Sequence, residues 1–375
     1  MKDALRDLLV GYVGNDMAKI VVGPKGSGIE SFLFDELKAA LMDAYPMAEA
    51  IDTRGLSQAE IKKVCIKEQE KEGRAFIFVR NLWDYSDFDV IINLCARHRG
   101  MDLFATASTP LPMHSFDKHT LIRGRFLTYS FPSTLYGDYL KEHPKGSAFD
   151  FLAHNDLDFG IVKENLKSLN ESEIACLRAA LRYELEPLSE RSLAKEVSKR
   201  TKTKFSWYRA NAFFKKIEGL GICYSLDRYD IKKKRIVSGK VFLPIDNRYY
   251  KIVGGERKRK ELYMAPALVG RLLYDGWDVR KAIYESQRNH KEYCRNTDAG
   301  FLVRKNGWSF LLFLGKSPTD DLVEKASLVP SSLTKVIVTI DPYGKVHCDR
   351  DGIIYYPFET LLKEGMRIYG GRTGI

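Results

Sequence analysis

The sequence of 375 residues predicts two α/β regions separated by a mainly helical region. Up to about residue 140, short apolar strand-like runs alternate with helical patterns, which is typical of a mostly parallel sheet. From about residue 171 apolar residues recur at helical spacing, and after about residue 260 strands and helices alternate again. Two or three domains of ordinary size are expected at this length.

In the first region, four apolar runs predict buried strands, at 19–22, 75–79, 103–107 and 125–131. The first run leads into a glycine-rich loop, VVGPKGSGIES, and the pattern after it predicts a helix over 31–44. The stretch 143–158 contains Pro144, Gly146, Asn155 and Asp156 and is predicted to be a linker.

The middle region has the order of elements of a winged helix. In sequence these are a helix over 172–184, a helix capped by Ser189, a polar turn at 201–204, a helix over 205–218, and strands at 222–226 and 241–243 around the basic tip 232–235. The last region is predicted to hold a helix over 267–274, strands at 300–303, 308–314 and 335–340, and a final helix over 357–364.

Composition excludes several classes of protein. Hydrophobic residues make up 45% and aromatic residues 12% of the chain, as in a globular protein, and no apolar run is long enough to span a membrane. The first residues lack the pattern of a signal peptide, so none is expected. The six cysteines form no CxxC pair, which argues against a zinc ribbon or a disulfide scaffold and favours a reducing cytoplasm.

Positive charge is concentrated in the middle region. The chain has a net charge of +11, and the window 189–240 holds 15 basic and five acidic residues, a net charge of +10. Such a focused field is typical of a module that binds a polyanion, and the alternative is a solvated basic surface. The candidate nucleic-acid-binding residues are Lys202, Lys204, Arg209, Lys215, Lys232, Lys233, Lys234 and Arg235.

The glycine loop follows the phosphate-binding pattern GxxxxGK[ST] only in part. Gly23 and Gly28 hold the two glycine positions, but Ile29 stands at the lysine and Glu30 at the hydroxyl that holds Mg²⁺. A glutamate there suits the helix dipole and competes with an incoming phosphate. Lys25 or Ser31 could compensate in part; the alternative is a strand-to-helix turn without a ligand.

This layout resembles the bacterial and archaeal AAA-type ATPases that carry a winged helix and a restriction-endonuclease-like C-terminal domain. The first six positions of their loop, G-P-R-x-x-G-K-[ST], correspond here to Gly23-Pro24-Lys25-Gly26-Ser27-Gly28. Their Asp-Glu after an apolar strand corresponds to Val79 and Arg80, and their T-G-S-S to Thr106-Ala107-Ser108-Thr109. Their L-x-G-R corresponds to Leu121-Ile122-Arg123-Gly124-Arg125, in which the resemblance implies that Arg125 is directed toward nucleotide.

In the nuclease-like region, the resemblance implies an acidic metal site that this sequence lacks. Ala265 stands at the first glutamate, and Asp298-Ala299-Gly300-Phe301 falls on E-I-D-F, so the second acid becomes Gly300. Asp298 with Lys316 nearby is a poor metal site, because metal-dependent phosphodiester cleavage needs a cluster of carboxylates. We expect no nuclease activity and no bound metal.

The resemblance implies a P-loop NTPase-like domain at 1–142, a linker with a helical connection at 143–170, a winged helix at 171–250 and a nuclease-like domain at 251–375. A non-catalytic pseudo-ATPase that binds nucleic acid is expected, without a cofactor. Alternatives are an ATPase that binds ATP and Mg²⁺ through non-standard residues, and a scaffold for a protein partner. The vestigial nucleotide-binding residues are Gly23, Lys25, Gly26, Ser27, Gly28, Ile29, Glu30 and Arg125.

Other candidates have plainer interpretations. His98, His114 and His119 are expected in loops and not at a metal. Three acids after the second strand, Asp84, Asp87 and Asp89, are expected to be solvated, although they could replace the missing acids. Four aromatic residues of the helix over 205–218 are expected mostly in a core, although Trp207 and Tyr208 lie near the start of the predicted recognition helix; the four are Trp207, Tyr208, Phe213 and Phe214.

Overall fold

The structure is a computed structural model that describes residues 2–23, 27–108, 122, 124–131, 136–154, 159–183, 185–253, 263–285, 296–327, 329, 332–340 and 345–366. The chain folds into two compact units, Met1–Ser133 and Thr134–Ile375. In the described part of the chain, no helix is long and apolar enough to cross a bilayer.

The first unit is an α/β fold with a five-stranded parallel sheet in the order β2-β3-β4-β1-β5. Its elements are α1 (Lys2–Gly11), β1 (Ala18–Val22), α2 (Ile29–Ser31), a π-helical stretch (Phe32–Leu37), α3 (Lys38–Ala44), β2 (Glu49–Asp52), α4 (Gln58–Gln69), β3 (Ala75–Val79), a 3-10 turn (Leu82–Asp84), α5 (Phe88–Ala96), β4 (Met101–Ala107) and β5 (Phe126–Ser130). The parallel sheet confirms the predicted fold class for this unit. β2 was not expected from the sequence.

Helices cover both faces of this sheet. On one face, Val21, Phe76 and Phe104 pack against the helical segment that follows β1. On the other, Ile77 and Leu103 pack against α4 and α5. β1 lies between β4 and β5, and the loop that follows it lies at the carboxyl end of the parallel sheet, where such sheets bind ligands.

The second unit has a mixed eight-stranded sheet in the order β12-β13-β11-β10-β9-β8-β6-β7. Its helices are α6 (Tyr136–Glu142), α7 (Ala148–His154), α8 (Phe159–Lys167), α9 (Glu171–Leu181), α10 (Glu190–Thr201), α11 (Trp207–Gly219), α12 (Arg248–Val253), α13 (Met264–Tyr274), α14 (Asp320–Ser327) and α15 (Phe358–Glu364). Its strands are β6 (Cys223–Asp230), β7 (Arg235–Pro244), β8 (Asp278–Glu285), β9 (Asn296–Lys305), β10 (Trp308–Gly315), β11 (Thr334–Thr339), β12 (His347–Cys348) and β13 (Ile353–Pro357).

The hairpin of β6 and β7 forms one edge of this sheet. The end of β6 pairs in parallel with β8, with Arg228 opposite Lys281. Contacts therefore group the segments on both sides of residue 250 into one unit, and the predicted boundaries at 170 and 250 stay predictions.

The segment predicted to be a linker with a helical connection contains α7 in its described part. Local capping begins this helix. Ser147 Oγ accepts a hydrogen bond from Asp150 N at 3.1 Å, and the Asp150 carboxylate accepts one from Ser147 N at 2.9 Å. Ser189 was predicted as the cap of α10, and its side chain accepts a hydrogen bond from Ser192 N.

Candidate phosphate loop and nucleic-acid interface

The glycine loop follows β1 and enters α2 as predicted. A Cβ atom at Gly23 would lie 2.3 Å from the backbone oxygen of Phe131, so only glycine fits there. Gly28 takes a φ of 81° and caps α2, which the buried Ile29 begins. Ser27 Oγ is buried without a hydrogen-bond partner among the described residues. Pro24, Lys25 and Gly26 lie outside the described residues.

Glu30 and Arg80 form an ion pair, with Arg80 Nε 2.7 Å from Glu30 Oε1. Glu30 lies in the first turn after the loop, at the position of the expected Mg²⁺-binding hydroxyl. Arg80 directly follows β3, at the position of an expected acid. The two replaced residues therefore neutralise each other at the carboxyl end of the sheet. This pair binds the Glu30 carboxylate to a guanidinium and supplies no free acid for a metal ion.

Arg125 is not brought to the loop. In the parallel register Ala18 pairs with Phe126, so Arg125 lies at the amino end of β1, whereas the loop leaves its carboxyl end. The guanidinium of Arg125 donates a hydrogen bond to Asn93 Oδ1 on α5. Arg125 therefore has a structural partner at the amino end of the sheet, opposite to the end from which the loop leaves.

Residues at or after the carboxyl ends of β3 and β4 contact each other or the neighbouring helix α4. Thr106 Oγ1, in the segment compared with T-G-S-S, accepts a hydrogen bond from Asn81 N at 2.9 Å. Asp87 forms an ion pair with Lys62 of α4, which lowers the pKa of Asp87. Asp84 lies in the 3-10 turn. Asp87 is thus held by α4 and is not available to replace a missing metal ligand.

A buried charge network that the sequence analysis missed lies under the amino end of this sheet. Lys19 Nζ contacts Asp102 Oδ1 at 2.5 Å, and both side chains have no exposed surface. Arg74 Nη1 lies 2.6 Å from the other oxygen of Asp102, and Gly14 N donates to Asp102 as well. Burial lowers the pKa of Lys19, while the hydrogen bond to Asp102 opposes this shift. The available signal was a lysine inside the apolar strand AKIVV.

The first basic cluster lies at the turn between α10 and α11. Lys202 ends α10 in a left-handed conformation with a φ of 54°. Ser198 Oγ accepts a hydrogen bond from Phe205 N at 2.9 Å and so fixes the end of the turn. Ser206 then caps α11, with its side chain accepting a hydrogen bond from Arg209 N. The turn holds Lys202 and Lys204 on the surface beside the start of α11.

The helix α11 has one buried and one exposed face. Phe213 and Phe214 belong to the core, as expected. Trp207 and Tyr208 do not, since their exposed fractions are 42% and 68%. Their ring centroids lie 3.7 Å apart and the rings stack on each other. They lie in the first turn of the helix, before the residues that face the core.

The second basic cluster forms the turn of the β6–β7 hairpin. Asp230 Oδ1 accepts hydrogen bonds from the backbone N atoms of Lys232 and Lys233, both at 3.0 Å. Lys234 adopts a left-handed φ of 51°. The four side chains of the turn are exposed; they are Lys232, Lys233, Lys234 and Arg235. The turn is therefore an ordered basic projection at the edge of the sheet.

Some basic residues of the same region are held in ion pairs. Arg200, Lys216 and Lys240 pair with Glu196, Glu173 and Glu218. Lys233 lies 3.9 Å from Asp230. The other predicted residues form no ion pair with the part of the chain that the structure describes; they are Lys202, Lys204, Arg209, Lys215, Lys232, Lys234 and Arg235.

The positions compared with nuclease acids cannot hold a metal as they stand. Ala265 is fully buried in α13. Gly300 has a φ of 75°, and a Cβ atom there would lie 2.1 Å from the backbone oxygen of Leu312. A carboxylate at this position would require the backbone to move. Lys316 is exposed just after β10, and the side chain of Asp298 is not described.

No cluster of three or more metal-ligating side chains occurs among the described residues. His98 accepts a hydrogen bond from Gly100 N in a short turn. His114 and His119 fall outside the described residues.

No protein-family model and no curated protein matches the sequence. Solved structures that align with it include Drosophila ORC bound to AT-rich DNA and Cdc6, with 12% identity, 67% of this chain and 90% of that chain covered, and a TM-score of 0.24. C. elegans PCH-2 aligns with 11% identity, coverage of 57% and 68%, and a TM-score of 0.28.

A STAND-type signal transduction ATPase from Pyrococcus horikoshii aligns with 12% identity, 71% of this chain and 46% of that chain covered, and a TM-score of 0.25. At TM-scores this low the alignments carry no argument about the fold or function of this chain.

Proposed function

We propose that this chain is a non-catalytic, AAA-type ATPase-like protein that binds nucleic acid through a winged-helix module made of α9–α11 and the β6–β7 hairpin. The observation that carries the proposal is the set of seven exposed basic side chains without an ion pair to the described residues. A cation without an ion pair can neutralise a phosphate of the nucleic acid and release a counterion that was condensed there. A cation that already pairs with a carboxylate contributes less to this release.

Each part of the module has a distinct role in this proposal. The first turn of α11 enters a groove, with Lys202 and Lys204 on the backbone beside it. The hairpin turn neutralises further phosphates. The stacked rings of Trp207 and Tyr208 offer an exposed aromatic surface to an unpaired base.

Charge reversal at the hairpin turn tests the proposal. The variant Lys232→Glu/Lys234→Glu should bind a DNA duplex more weakly at low salt and with a flatter dependence on salt concentration. Binding equal to that of the wild type would rule out the hairpin as an interface. Competition between DNA and a candidate acidic protein partner separates nucleic-acid binding from the alternative of a protein scaffold.

The non-catalytic part of the proposal is supported by the Glu30–Arg80 ion pair. An ATPase needs a lysine on the β- and γ-phosphates, a hydroxyl on Mg²⁺ and a carboxylate near the attacking water. Here Ile29 is buried, and the other two positions hold residues that bind each other. Calorimetric titration with ATP, with and without Mg²⁺, should give no heat at millimolar ATP. Micromolar binding would contradict this and favour an ATPase with non-standard residues.

A further inference from the structure

Two cysteines of the first unit lie in contact inside its core. Cys65 belongs to α4 and Cys95 to α5, and both helices pack on the same face of the sheet. Their sulfur atoms lie 3.8 Å apart, within hydrogen-bond distance for sulfur. The two residues are 30 positions apart in the sequence, so the contact depends on how α4 and α5 pack and not on a sequence motif.

Contacts on both sides of the thiols hold the two helices together. Lys62 of α4 forms an ion pair with Asp87, at the start of α5. At the end of α4, Gln69 Nε2 donates a hydrogen bond to the backbone oxygen of Leu94 at 2.7 Å. Cys65 lies between Lys62 and Gln69, so the thiols meet in a segment whose helices are joined before and after it.

The geometry of this contact suits a disulfide bond. The sulfur–sulfur distance in a disulfide is about 2.05 Å, so the two sulfur atoms must approach each other by about 1.8 Å. Rotation of the two side chains about their Cα–Cβ bonds covers such a distance, and the helices need not separate. Cys176 and Cys223 are buried as well, but neither forms a hydrogen bond to another thiol of the described residues.

The hydrogen bond between the thiols gives them different acidities. It lowers the pKa of Cys65, although burial opposes this shift. The same hydrogen bond, together with burial, raises the pKa of Cys95. Cys65 is therefore the thiol that loses its proton first, and the thiolate is the form that attacks an oxidant.

Burial limits which oxidants reach the pair. Cys65 has no exposed surface, and Cys95 is 2% exposed. Hydrogen peroxide is close to water in size and reaches a buried thiol through small local openings of the fold. Oxidised glutathione consists of two linked tripeptides, and it reaches the sulfur atoms only when the helices separate.

We propose that Cys65 and Cys95 are a modification site, at which hydrogen peroxide produces a reversible disulfide bond between α4 and α5. The Cys65 thiolate attacks one peroxide oxygen, the O–O bond breaks, and Cys65 becomes a sulfenic acid while the departing hydroxide takes up the proton that Cys65 had lost. The Cys95 thiol then attacks the sulfenic sulfur, the S–S bond forms, and the sulfenic oxygen leaves as water with the proton of Cys95. Two thiols and one hydrogen peroxide thus give one disulfide and two water molecules.

The bond stabilises the first unit against unfolding. It closes a loop between positions 65 and 95 that includes β3, and a closed loop restricts the unfolded chain. A thiol reductant reverses the bond. This modification is independent of nucleic-acid binding by the winged-helix module.

Oxidation of the native full-length protein tests the proposal. After treatment with hydrogen peroxide, the remaining thiols are alkylated in denaturant and the protein is digested with trypsin, which releases Cys65 in the peptide 64–67 and Cys95 in the peptide 81–97. Mass spectrometry should find these two peptides joined, and dithiothreitol should separate them. Calorimetry should show that the unfolding temperature of the first unit rises by at least about 5 °C on oxidation. Oxidised glutathione should produce the joined peptides much more slowly.

Three variants serve as controls. Cys65→Ala and Cys95→Ala should each lose both the joined peptides and the rise in unfolding temperature. Cys176→Ala, which removes a buried cysteine outside the pair, should keep both. Cys348 is exposed, and its oxidation shows that the peroxide has reacted with the protein.

The proposal is overturned if native protein with oxidised Cys348 yields no joined peptides, or if these form only in urea, where α4 and α5 no longer hold the thiols together. An unfolding temperature that stays the same or falls when the pair is oxidised would overturn the stabilising effect of the bond. Oxidised glutathione acting as fast as hydrogen peroxide would overturn the assignment of the oxidant.

Discussion

Removing three cations from the hairpin turn should reduce the salt dependence of DNA binding by a calculable amount. The variant is Lys232→Ala/Lys234→Ala/Arg235→Ala, which keeps Lys233 because it lies near Asp230. Each phosphate contact contributes about 0.9 to the slope of log K against log salt concentration. Three lost contacts should therefore flatten the slope by about 2.7. When the salt concentration rises from roughly 50 to 200 mM, the factor by which the variant loses affinity for DNA should therefore be about 40-fold smaller than the factor for the wild type.

Fluorescence anisotropy of a labelled duplex over that salt range measures the slope. The matched control, Arg200→Ala/Lys216→Ala/Lys240→Ala, removes the same charge from side chains that pair with glutamates. Its slope should stay close to that of the wild type, because these cations already have partners. Equal slopes for the two triple variants would mean that net charge alone governs binding, and the assignment of direct contacts to the turn would then be refuted.

Two other substitutions give separate predictions. Trp207→Ala should weaken binding of single-stranded DNA by about 5- to 150-fold, since stacking on one base contributes about 1–3 kcal/mol. The control Trp308→Ala removes another exposed tryptophan and should not weaken binding. Equal effects of the two substitutions in filter binding would contradict this prediction. Asp102→Ala should lower the free energy of unfolding by about 3–5 kcal/mol in urea titration, because it leaves the Lys19 ammonium buried without its partner, and a loss well under 1 kcal/mol would be the contrary result. Burial lowers the pKa of Lys19 in the folded chain, so between that lowered pKa and 10.5 the unfolded chain binds more protons than the folded chain does. In this pH range the free energy of unfolding of the wild type should therefore rise with pH relative to that of Lys19→Met.

Strands were predictable where the sheet buries both of their faces. All five residues of β3 are buried and apolar, and the predicted range 75–79 matches the strand. β2, with the sequence EAID, lies at the edge of the first sheet and is only partly buried, so it lacks an apolar signal. β8 contains Arg280 and Lys281 among its apolar residues, and the charges hid the strand pattern.

The candidate sites were predictable as residue types but not as contacts. The loss of the phosphate-loop lysine and of the acids could be seen in the sequence, yet the pairing of Glu30 with Arg80 joins residues 50 positions apart and depends on the strand order. The exposure of Trp207 and Tyr208 depends on where α11 begins to face the core. Helical spacing alone does not determine this, since both residues lie in the first turn.

The departures from the ATPase and nuclease patterns are coupled to the structure around them, so a single substitution is expected not to recreate either pattern. Restoring a hydroxyl at Glu30 would leave Arg80, a cation, where Mg²⁺ needs a carboxylate, and changing Arg80 alone would leave Glu30 facing the phosphates. Restoring an acid at Gly300 would force the backbone away from Leu312. In both units, therefore, an ion pair or the close packing of the backbone holds the residues that depart from the compared patterns.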